Sequence, residues 1–250
     1  FQTIDSIQYV KRLSFQLISL SLFPDPSYVL TFSDLHLNKY INLQYLSLRH
    51  NTLKELGVGS FQKLFSLRSL DLGNNMIKIL KKNTFLGLNS LKALYLDESQ
   101  IVSIERGCFN GLNQLNILDL RSSKIIHLAN DVFNQLSELR LLNFEYSSVQ
   151  KIESGCFYGL HNLLTLDMGS NDLTILTNET FAGNIKKLSR LNLQRNKIHT
   201  IGKGAFLQLP NLKHLCLENN PITKGVLINR AFFESLGILL PKSVVYFSNC

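Results

Sequence analysis

Apolar residues recur along most of the chain at fixed intervals, with polar residues between them. From Leu43 the spacing follows the pattern LxxLxLxxNxLxxLxxxxFxxLxx. The leading leucines are Leu43, Leu67, Leu91, Leu115, Leu139, Leu163, Leu188 and Leu212. Their spacing is 24 residues, except for one interval of 25 between Leu163 and Leu188. So regular a period predicts a single structural unit that is repeated along the chain.

Within each copy, the segment LxxLxL alternates apolar and polar residues, which is the period of a β-strand with one buried face. In the second copy, Leu70 and Leu72 are predicted to point inward. Ser69, Asp71 and Gly73 are predicted to point outward. One such unit cannot bury its apolar face alone, so neighbouring units must stack. These features predict an α/β leucine-rich-repeat solenoid, a curved horseshoe with a parallel β-sheet on its concave face and short helical or irregular segments on its convex face.

Residues that take the same position in successive copies form a column when the copies stack. Two such columns are predicted to hold the coils together. A phenylalanine near the end of seven copies is expected to fill the convex half of the core. The ninth position is a short polar residue, expected to bond the backbone of the adjacent coil where the chain leaves the strand. These residues are Asn51, Asn75, Ser99, Ser123, Ser147, Asn171, Asn196 and Asn220. Because serine is shorter than asparagine, the ladder is predicted to be weaker across the three serines.

The repeat makes residues 1–250 one domain with irregular ends. We predict an irregular repeat over residues 10–42, regular repeats over 43–211 and a loosened repeat over 212–250. In the first of these, Leu13 and Phe15 are predicted to be inward strand residues, with Ile4 before them at a convex position. Pro24 and Pro26 then indicate a loop that bulges from the scaffold. Since the sequence starts within a copy and shows no cysteine-bearing cap, we expect a fragment of a longer protein.

At the other end, Phe233 and Leu236 are predicted to continue the convex core. Val245, Phe247 and Cys250 fit positions 4, 6 and 9 of one more copy.

The four cysteines are predicted to be unpaired. Cys108 and Cys156 take the same position two copies apart, about 10 Å at the usual inter-strand spacing, which exceeds the reach of a disulfide. Cys216 is expected on the outer concave surface. Asn178 begins the sequon Asn178-Glu179-Thr180, which predicts N-glycosylation.

The concave face carries carboxylates but no arrangement suited to catalysis. Asp71, Asp119 and Asp167 recur on alternate strands, about 10 Å apart, which is wider than the carboxylate pairs of glycosidases. An open sheet also offers no pocket that excludes water. We therefore expect no enzyme activity, no metal site and no cofactor.

The net charge of +8 is predicted to lie away from the concave face. Outward strand positions carry eight basic and seven acidic residues. The excess falls on the flanks, the convex side and the ends, for example at Lys54, Lys63, Lys78, Lys81, Lys82, Lys186, Lys187, Lys197 and Lys203. If a nucleic acid is a partner, a basic flank is the expected site, because phosphates are bound by lysine and arginine. A solvated basic surface is the alternative.

Apolar and aromatic residues also occupy outward strand positions, where water is expected. They are Tyr95, Ile117, Leu141, Tyr146 and Leu164. Charged residues Asp97, Arg121, Arg140 and Glu145 are predicted to surround them. Apolar groups with a charged rim are typical of protein-binding surfaces, although ordinary β-propensity can also place them there. Asp119, Arg190 and His214 complete the candidate ligand-binding set.

The 24-residue copy from Leu67 to Leu88, with Phe85 near its end, resembles the extracellular class of leucine-rich repeats. With irregular copies at both ends and segments such as Leu173–Phe181 and Leu191–Ile198, the chain is similar to a Toll-like receptor ectodomain over about residues 10–250. No ligand motif of that family carries over to individual residues.

The resemblance implies the ligand-binding part of an innate immune receptor that recognises a microbial product. It further implies a membrane-anchored glycoprotein, with the repeats outside the cell or in the endosomal lumen. Such a receptor dimerises on ligand binding and signals through a cytoplasmic domain. The alternative interpretation is a leucine-rich-repeat adhesion or matrix protein that binds another protein through its concave face.

Overall fold

The computed structural model describes residues 3–4, 19–22, 37–225 and 227–244, and they form a stack of similar coils around one core. A parallel sheet of ten short strands lies on one side, in chain order. Its strands are Thr3–Ile4, Ser19–Leu22, Tyr45–Ser47, Ser69–Asp71, Ala93–Tyr95, Ile117–Asp119, Leu141–Asn143, Thr165–Asp167, Arg190–Asn192 and His214–Cys216. The leucine at the centre of each strand from Leu46 to Leu215 is buried and lies opposite its counterpart in the next coil. The predicted solenoid is confirmed.

The other side of each coil is short and largely irregular. Three two-stranded parallel sheets pair Ile79–Leu80 with Ser103–Ile104, His127–Leu128 with Lys151–Ile152, and Ile175–Leu176 with Thr200–Ile201. Short 3-10 turns cover Leu37–Lys39 and Pro221–Thr223, and the α-helix Arg230–Ser235 follows. The side chain of Asn229 caps this helix by accepting the Phe232 N–H at 3.0 Å.

The phenylalanine column forms a buried spine along the convex half of the core. Phe109 stacks on Phe85 and on Phe133, with ring centroids 6.0 and 5.9 Å apart. A second stacked run joins Phe157, Phe181 and Phe206. Truncating one of these rings to alanine is expected to cost about 3–5 kcal/mol. The spine therefore explains why this position is almost always phenylalanine.

The prediction for the C-terminal coil is right for Phe233 and wrong for Leu236. The Phe233 ring is buried and meets Phe206 edge-on at 6.4 Å. Leu236 is exposed because the helix has ended and Gly237, at a φ of 67°, reverses the chain. Ile238 returns to the core instead, with its N–H bonded to the Phe233 carbonyl. Val245, Phe247 and Cys250 lie outside the described residues.

The first repeat was assigned to the wrong residues. The strand beside Tyr45–Ser47 is Ser19–Leu22, with Leu20 opposite Leu46. Leu13, Phe15, Pro24 and Pro26 lie outside the described residues. Ile4 was also misassigned, since it pairs with Leu22 in the concave sheet. Leu17, Leu20 and Leu22 fit LxxLxL as well as Val10, Leu13 and Phe15 do, so spacing alone did not decide.

The prediction that every cysteine is unpaired is wrong for Cys216, which is disulfide-bonded. Its side chain is buried and does not face solvent on the concave surface. Cys108 and Cys156 are free and buried, as predicted. Burial raises the pKa of both thiols well above its usual range, so they are unreactive core residues.

The ninth-position ladder is strong where it contains asparagine and weak where it contains serine, as predicted. Asn75 Nδ2 donates to the carbonyls of Leu48 and Leu72, both at 2.9 Å, and its Oδ1 accepts the Leu53 N–H. The hydroxyls of Ser123 and Ser147 lie 3.0 Å apart, and Ser147 Oγ makes longer bonds of 3.3 Å with the Ser123 N–H and the Leu120 carbonyl. The buried hydroxyl of Ser99 has no partner among the described residues.

Replacing Ser99 with asparagine is expected to stabilise the solenoid by about 1 kcal/mol, because the longer side chain can bond both neighbouring coils. Ser99→Ala should be nearly neutral, since its hydroxyl makes no bond. Urea unfolding of both variants beside the parent measures the difference. A loss of stability in Ser99→Asn would mean that the coils are too close here for an amide.

Candidate functional site

The carboxyl edge of the concave sheet is built by the fifth position of each coil. Five of these residues accept the backbone N–H of the residue two further on, at 2.8–3.1 Å, and so turn the chain at the end of the strand. They are Asp71, Asp119, Asn143, Asp167 and Asn192. Aspartate and asparagine are the residue types that make this local bond. Sequence reasoning missed this role, although the recurrence of Asp and Asn in one column is its signal.

After this turn, the eighth residue of every regular coil has a left-handed backbone, with φ between 51° and 58°. The residues are His50, Asn74, Glu98, Ser122, Tyr146, Ser170, Arg195 and Asn219. Their side chains line the carboxyl edge of the sheet. Asparagine adopts this conformation readily, whereas a bulky side chain does so at a cost.

An ion pair between a buried carboxylate and a partly exposed arginine joins two coils that are not neighbours. The Arg49 guanidinium donates to both carboxylate oxygens of Asp97, at 2.9 and 2.6 Å. It crosses the intervening coil at Gly73, where a Cβ atom would overlap Arg49 Nη1. Asp97 was predicted on an exposed rim, but its side chain is buried in this pair. Arg49, Gly73 and Asp97 take the same position in three successive copies of the repeat. Their alignment in the sequence was the available sign that Arg49 could reach Asp97 across the glycine.

Three carboxylates on this face have shifted pKa values. Burial favours the neutral form of Asp97, but the hydrogen bonds and charge of Arg49 outweigh it and hold the pKa of Asp97 below its usual range. Burial raises the pKa of Asp119, against the opposing backbone N–H and charge of Arg121. Burial and the negative charge of Asp167 raise the pKa of Glu145. The edge near Asp119 and Glu145 thus favours neutral or cationic neighbours.

The predicted apolar patch separates into a strip and two outlying tyrosines. Leu141 lies directly opposite Ile117 on one side and Thr165 on the other, and Ile117 lies opposite Ala93. Leu164 is 41% exposed and directly precedes Thr165, the residue opposite Leu141. We call Ala93, Ile117, Leu141 and Leu164 the apolar strip. Its first three residues are adjacent across three strands, and all four are partly or largely exposed on the concave face.

The two tyrosines do not belong to the strip. Tyr95 lies two residues further along its strand than Ala93, and so nearer the carboxyl edge of the sheet. It is opposite Asp119 and half-buried. Tyr146 is on the carboxyl edge itself, 55% exposed. Its hydroxyl lies 3.5 Å from Arg195 Nη1, across the small side chain of Ser170. The predicted set thus occupies two parallel tracts of one face.

Basic residues flank the strip. Arg140 is exposed at its amino side. Arg190 lies opposite both Thr165 and His214, which places the two predicted basic residues side by side. Desolvation and the charges of Arg190 and Lys213 lower the pKa of His214, so this imidazole is less readily charged than usual. The arrangement suits a ligand with apolar and anionic parts.

The flank lysines do not form one surface. Lys54, Lys78 and Lys81 line a groove with Met76 and Ile79 on the side of the short two-stranded sheets. Lys187, in contrast, donates to Asn162 Oδ1 at 2.6 Å. Lys197 pairs with Asp172 at 2.7 Å. Among the predicted flank residues, Lys54, Lys78 and Lys81 lie together, and Glu55 in the same groove pairs with Lys81 Nζ at 3.3 Å.

Two negative findings apply to the described ranges. Within them, no group of three or more histidine, cysteine, aspartate or glutamate side chains is placed to hold a metal ion. Over the same ranges, no helix has the length and apolar character that crossing a bilayer requires.

Comparison with known proteins agrees with the geometry. A leucine-rich-repeat profile matches residues 41–101 and 90–147, and a profile of the BspA-type leucine-rich repeat region matches residues 127–240. No curated protein matches the chain significantly. The two profiles together cover most of the chain, which belongs to the leucine-rich-repeat proteins.

Within that class, the chain resembles a fragment of a Toll-like receptor ectodomain. It is similar to TLR13 in a crystal structure of the TLR13-ssRNA13 complex, with 24% sequence identity and a TM-score of 0.71. The match covers 94% of this chain and 36% of that chain, so this sequence spans about a third of the length of the chain it matches. At this identity the match establishes a shared fold.

Proposed function

We propose that the chain is the ligand-binding part of an innate immune pattern-recognition receptor of the Toll-like type, and not an enzyme. It binds a microbial product on its concave face, outside the cell or in the endosomal lumen. The parent protein is a membrane-anchored receptor that dimerises on ligand binding and signals through a cytoplasmic domain. The observation that carries this proposal is the apolar strip, exposed on a sheet that otherwise faces water with polar side chains.

The strip has the character of an interface centre. Ile117 and Leu141 are adjacent and partly exposed, while Arg140 and Arg190 supply charge at its margins. Binding energy concentrates in a few well-packed groups surrounded by a polar rim. A ligand that desolvates this pair would gain from apolar burial, and the arginines would orient its anionic groups.

The test compares two pairs of exposed apolar residues on the same protein. Ile117→Ser with Leu141→Ser should weaken binding to the active fraction of a bacterial extract by at least tenfold, about 1.4 kcal/mol. Val102→Ser with Ile126→Ser is the matched control, since those residues are equally apolar but lie on the flank. Biolayer interferometry with lipid, protein and nucleic-acid fractions measures both. Equal losses in the two pairs, or none in the first, would remove the strip from the site.

Single-stranded RNA is the second candidate ligand, favoured by the similarity to TLR13 in its complex with ssRNA13 and by the Lys54, Lys78 and Lys81 groove. Binding of an RNA oligonucleotide should then fall steeply with salt, and charge reversal at Lys78 should flatten that dependence. A response insensitive to salt excludes this ligand class. Binding to a host matrix protein through the strip, with none to microbial fractions, would instead favour an adhesion protein.

A further inference from the structure

We propose that Asn178 carries an N-linked glycan whose first sugars lie in an apolar groove beside it and cover that groove. The sequon is a feature of the sequence, but the groove next to it appears only in the structure. The proposal rests on the extracellular or lumenal location that the proposed function implies. It concerns the opposite side of the molecule from the apolar strip.

The groove lies between two coils on the convex side. Its walls include Ile175, Leu207 and Leu239, each between 44% and 51% exposed. Gly202 and Gly204 leave its floor without side chains. Leu239 is held at the rim because its N–H donates to the Lys203 carbonyl at 2.8 Å. Three large aliphatic side chains are thus exposed together on a surface that does not bury them against the protein.

Asn178 is placed to deliver a glycan into this groove. It is exposed, lines the groove, and starts the turn that follows Ile175–Leu176. Asn178 lies against Gly204, since a Cβ atom on that glycine would be in ordinary van der Waals contact with Asn178 Cβ, at 3.6 Å. The Nδ2 atom contacts only the neighbouring Glu179, at 3.5 Å, among the described residues. The amide therefore has no structural role that a sugar would disturb.

The chemistry of the groove matches the start of a glycan better than it matches water. Pyranose rings present C–H faces that pack on aliphatic side chains, and their hydroxyl edges stay solvated. The groove has a volume of about 540 Å³, within the range of sites that hold drug-sized ligands. The glycan is also tethered, so no translational freedom is lost when its core sugars settle there.

The fold also sets when the sugar is attached. Thr180 is buried, and its hydroxyl accepts the Thr177 N–H at 2.8 Å. The hydroxyl that the transferase reads is therefore occupied in the folded coil, so transfer precedes folding. In that step Asn178 Nδ2 loses a proton and forms a bond to C1 of the first N-acetylglucosamine. The bond from C1 to the pyrophosphate of the lipid-linked donor breaks, and the lipid pyrophosphate leaves.

The experiment uses the full chain secreted from a eukaryotic cell. Peptide-N-glycosidase treatment of the folded protein should convert Asn178 to aspartate, detectable by peptide mass spectrometry, and Asn178→Gln should remove the glycan independently. Loss of the glycan should lower the Tm by about 2–4 °C. In Leu207→Ser, whose groove is no longer apolar, the same treatment should lower the Tm much less. Ile126→Ser is the matched control, equally exposed on another part of the surface, and should keep the full effect.

Three results would overturn the proposal. One is an unmodified Asn178 in the folded, secreted chain. Another is a glycan whose removal shifts the Tm equally in Leu207→Ser and in the parent. A third is a separate protein that binds in the groove, and does so only while the glycan is attached. Ligand binding through the strip is measured on the same deglycosylated samples, so failure here and failure of the proposed function are distinguishable.

Discussion

Asp97→Asn is expected to destabilise the solenoid by about 2–3 kcal/mol, because it breaks the two short charged hydrogen bonds from Arg49 and leaves that guanidinium only its longer contacts with Asp71 and Glu98. The substitution changes almost no volume. It places an amide N–H₂ or a single oxygen against Arg49 Nη2, which now donates to Asp97 Oδ2 at 2.6 Å. Arg49 cannot simply swing into solvent, since it is held over Gly73 and also contacts Asp71. Urea unfolding at neutral pH measures the loss.

Asp119→Asn, one coil further on, is the matched control and should behave differently. The pKa of Asp119 is raised by burial, so its charge opposes folding at neutral pH. Asparagine keeps the turn, because Asn143 in the next coil accepts the Glu145 N–H at 2.8 Å in the same way. The variant should be as stable as the parent or slightly more stable at pH 7.

Acidification should reduce the effects of both variants on stability, which have opposite signs at pH 7. The pKa of Asp97 is lowered in the folded chain, so its contribution is present above the unfolded pKa of about 3.9 and is lost as pH falls through the folded value. The cost of Asp97→Asn should therefore shrink on acidification. The pKa of Asp119 is raised, so its penalty disappears once the group is protonated, and any gain from Asp119→Asn should shrink too. A cost of Asp97→Asn that grew at low pH would contradict the ion-pair account.

Much of this fold was accessible from the sequence because every coil repeats the same environment. The period from Leu43 to Leu212 fixed the strand register, and Phe85, Phe109 and Phe133 stack as their spacing predicts. The prediction for the first repeat failed because two successive segments there, at 10–15 and 17–22, both fit LxxLxL. When two segments share the same spacing, only the contacts in the structure show which of them forms the strand.

The candidate site was less accessible, because its side chains interact across coils. Asp97 was assigned to an exposed rim because its column faces solvent. Its burial depends on an arginine two coils away and on the glycine between them. The sequence groups Tyr146 with Leu141, yet the strand ends at Asn143 and the turn after it places Tyr146 on the carboxyl edge. Columns predict which residues share a face, while the reach of each side chain decides which of them meet.

Tyr146→Asn is expected to stabilise the protein and weaken ligand binding. Tyr146 has a φ of 55°, a conformation that costs most L-residues about 1–2 kcal/mol and that asparagine adopts more easily. Its ring is 55% exposed, so little packing is lost on truncation, and the contact with Arg195 is long at 3.5 Å. A gain of up to about 1 kcal/mol in unfolding free energy should follow.

The same substitution should reduce affinity for the microbial ligand by tenfold or more, since exposed tyrosines are frequent energetic centres of interfaces. Ser122→Asn, at the same position in the preceding coil, is the control for backbone relief. It should gain similar stability and keep its affinity. Keeping a strained, exposed aromatic residue where asparagine would be more stable is what selection for binding produces. If Tyr146→Asn gained stability with unchanged affinity, the carboxyl-edge tract would drop out of the site and the apolar strip alone would remain.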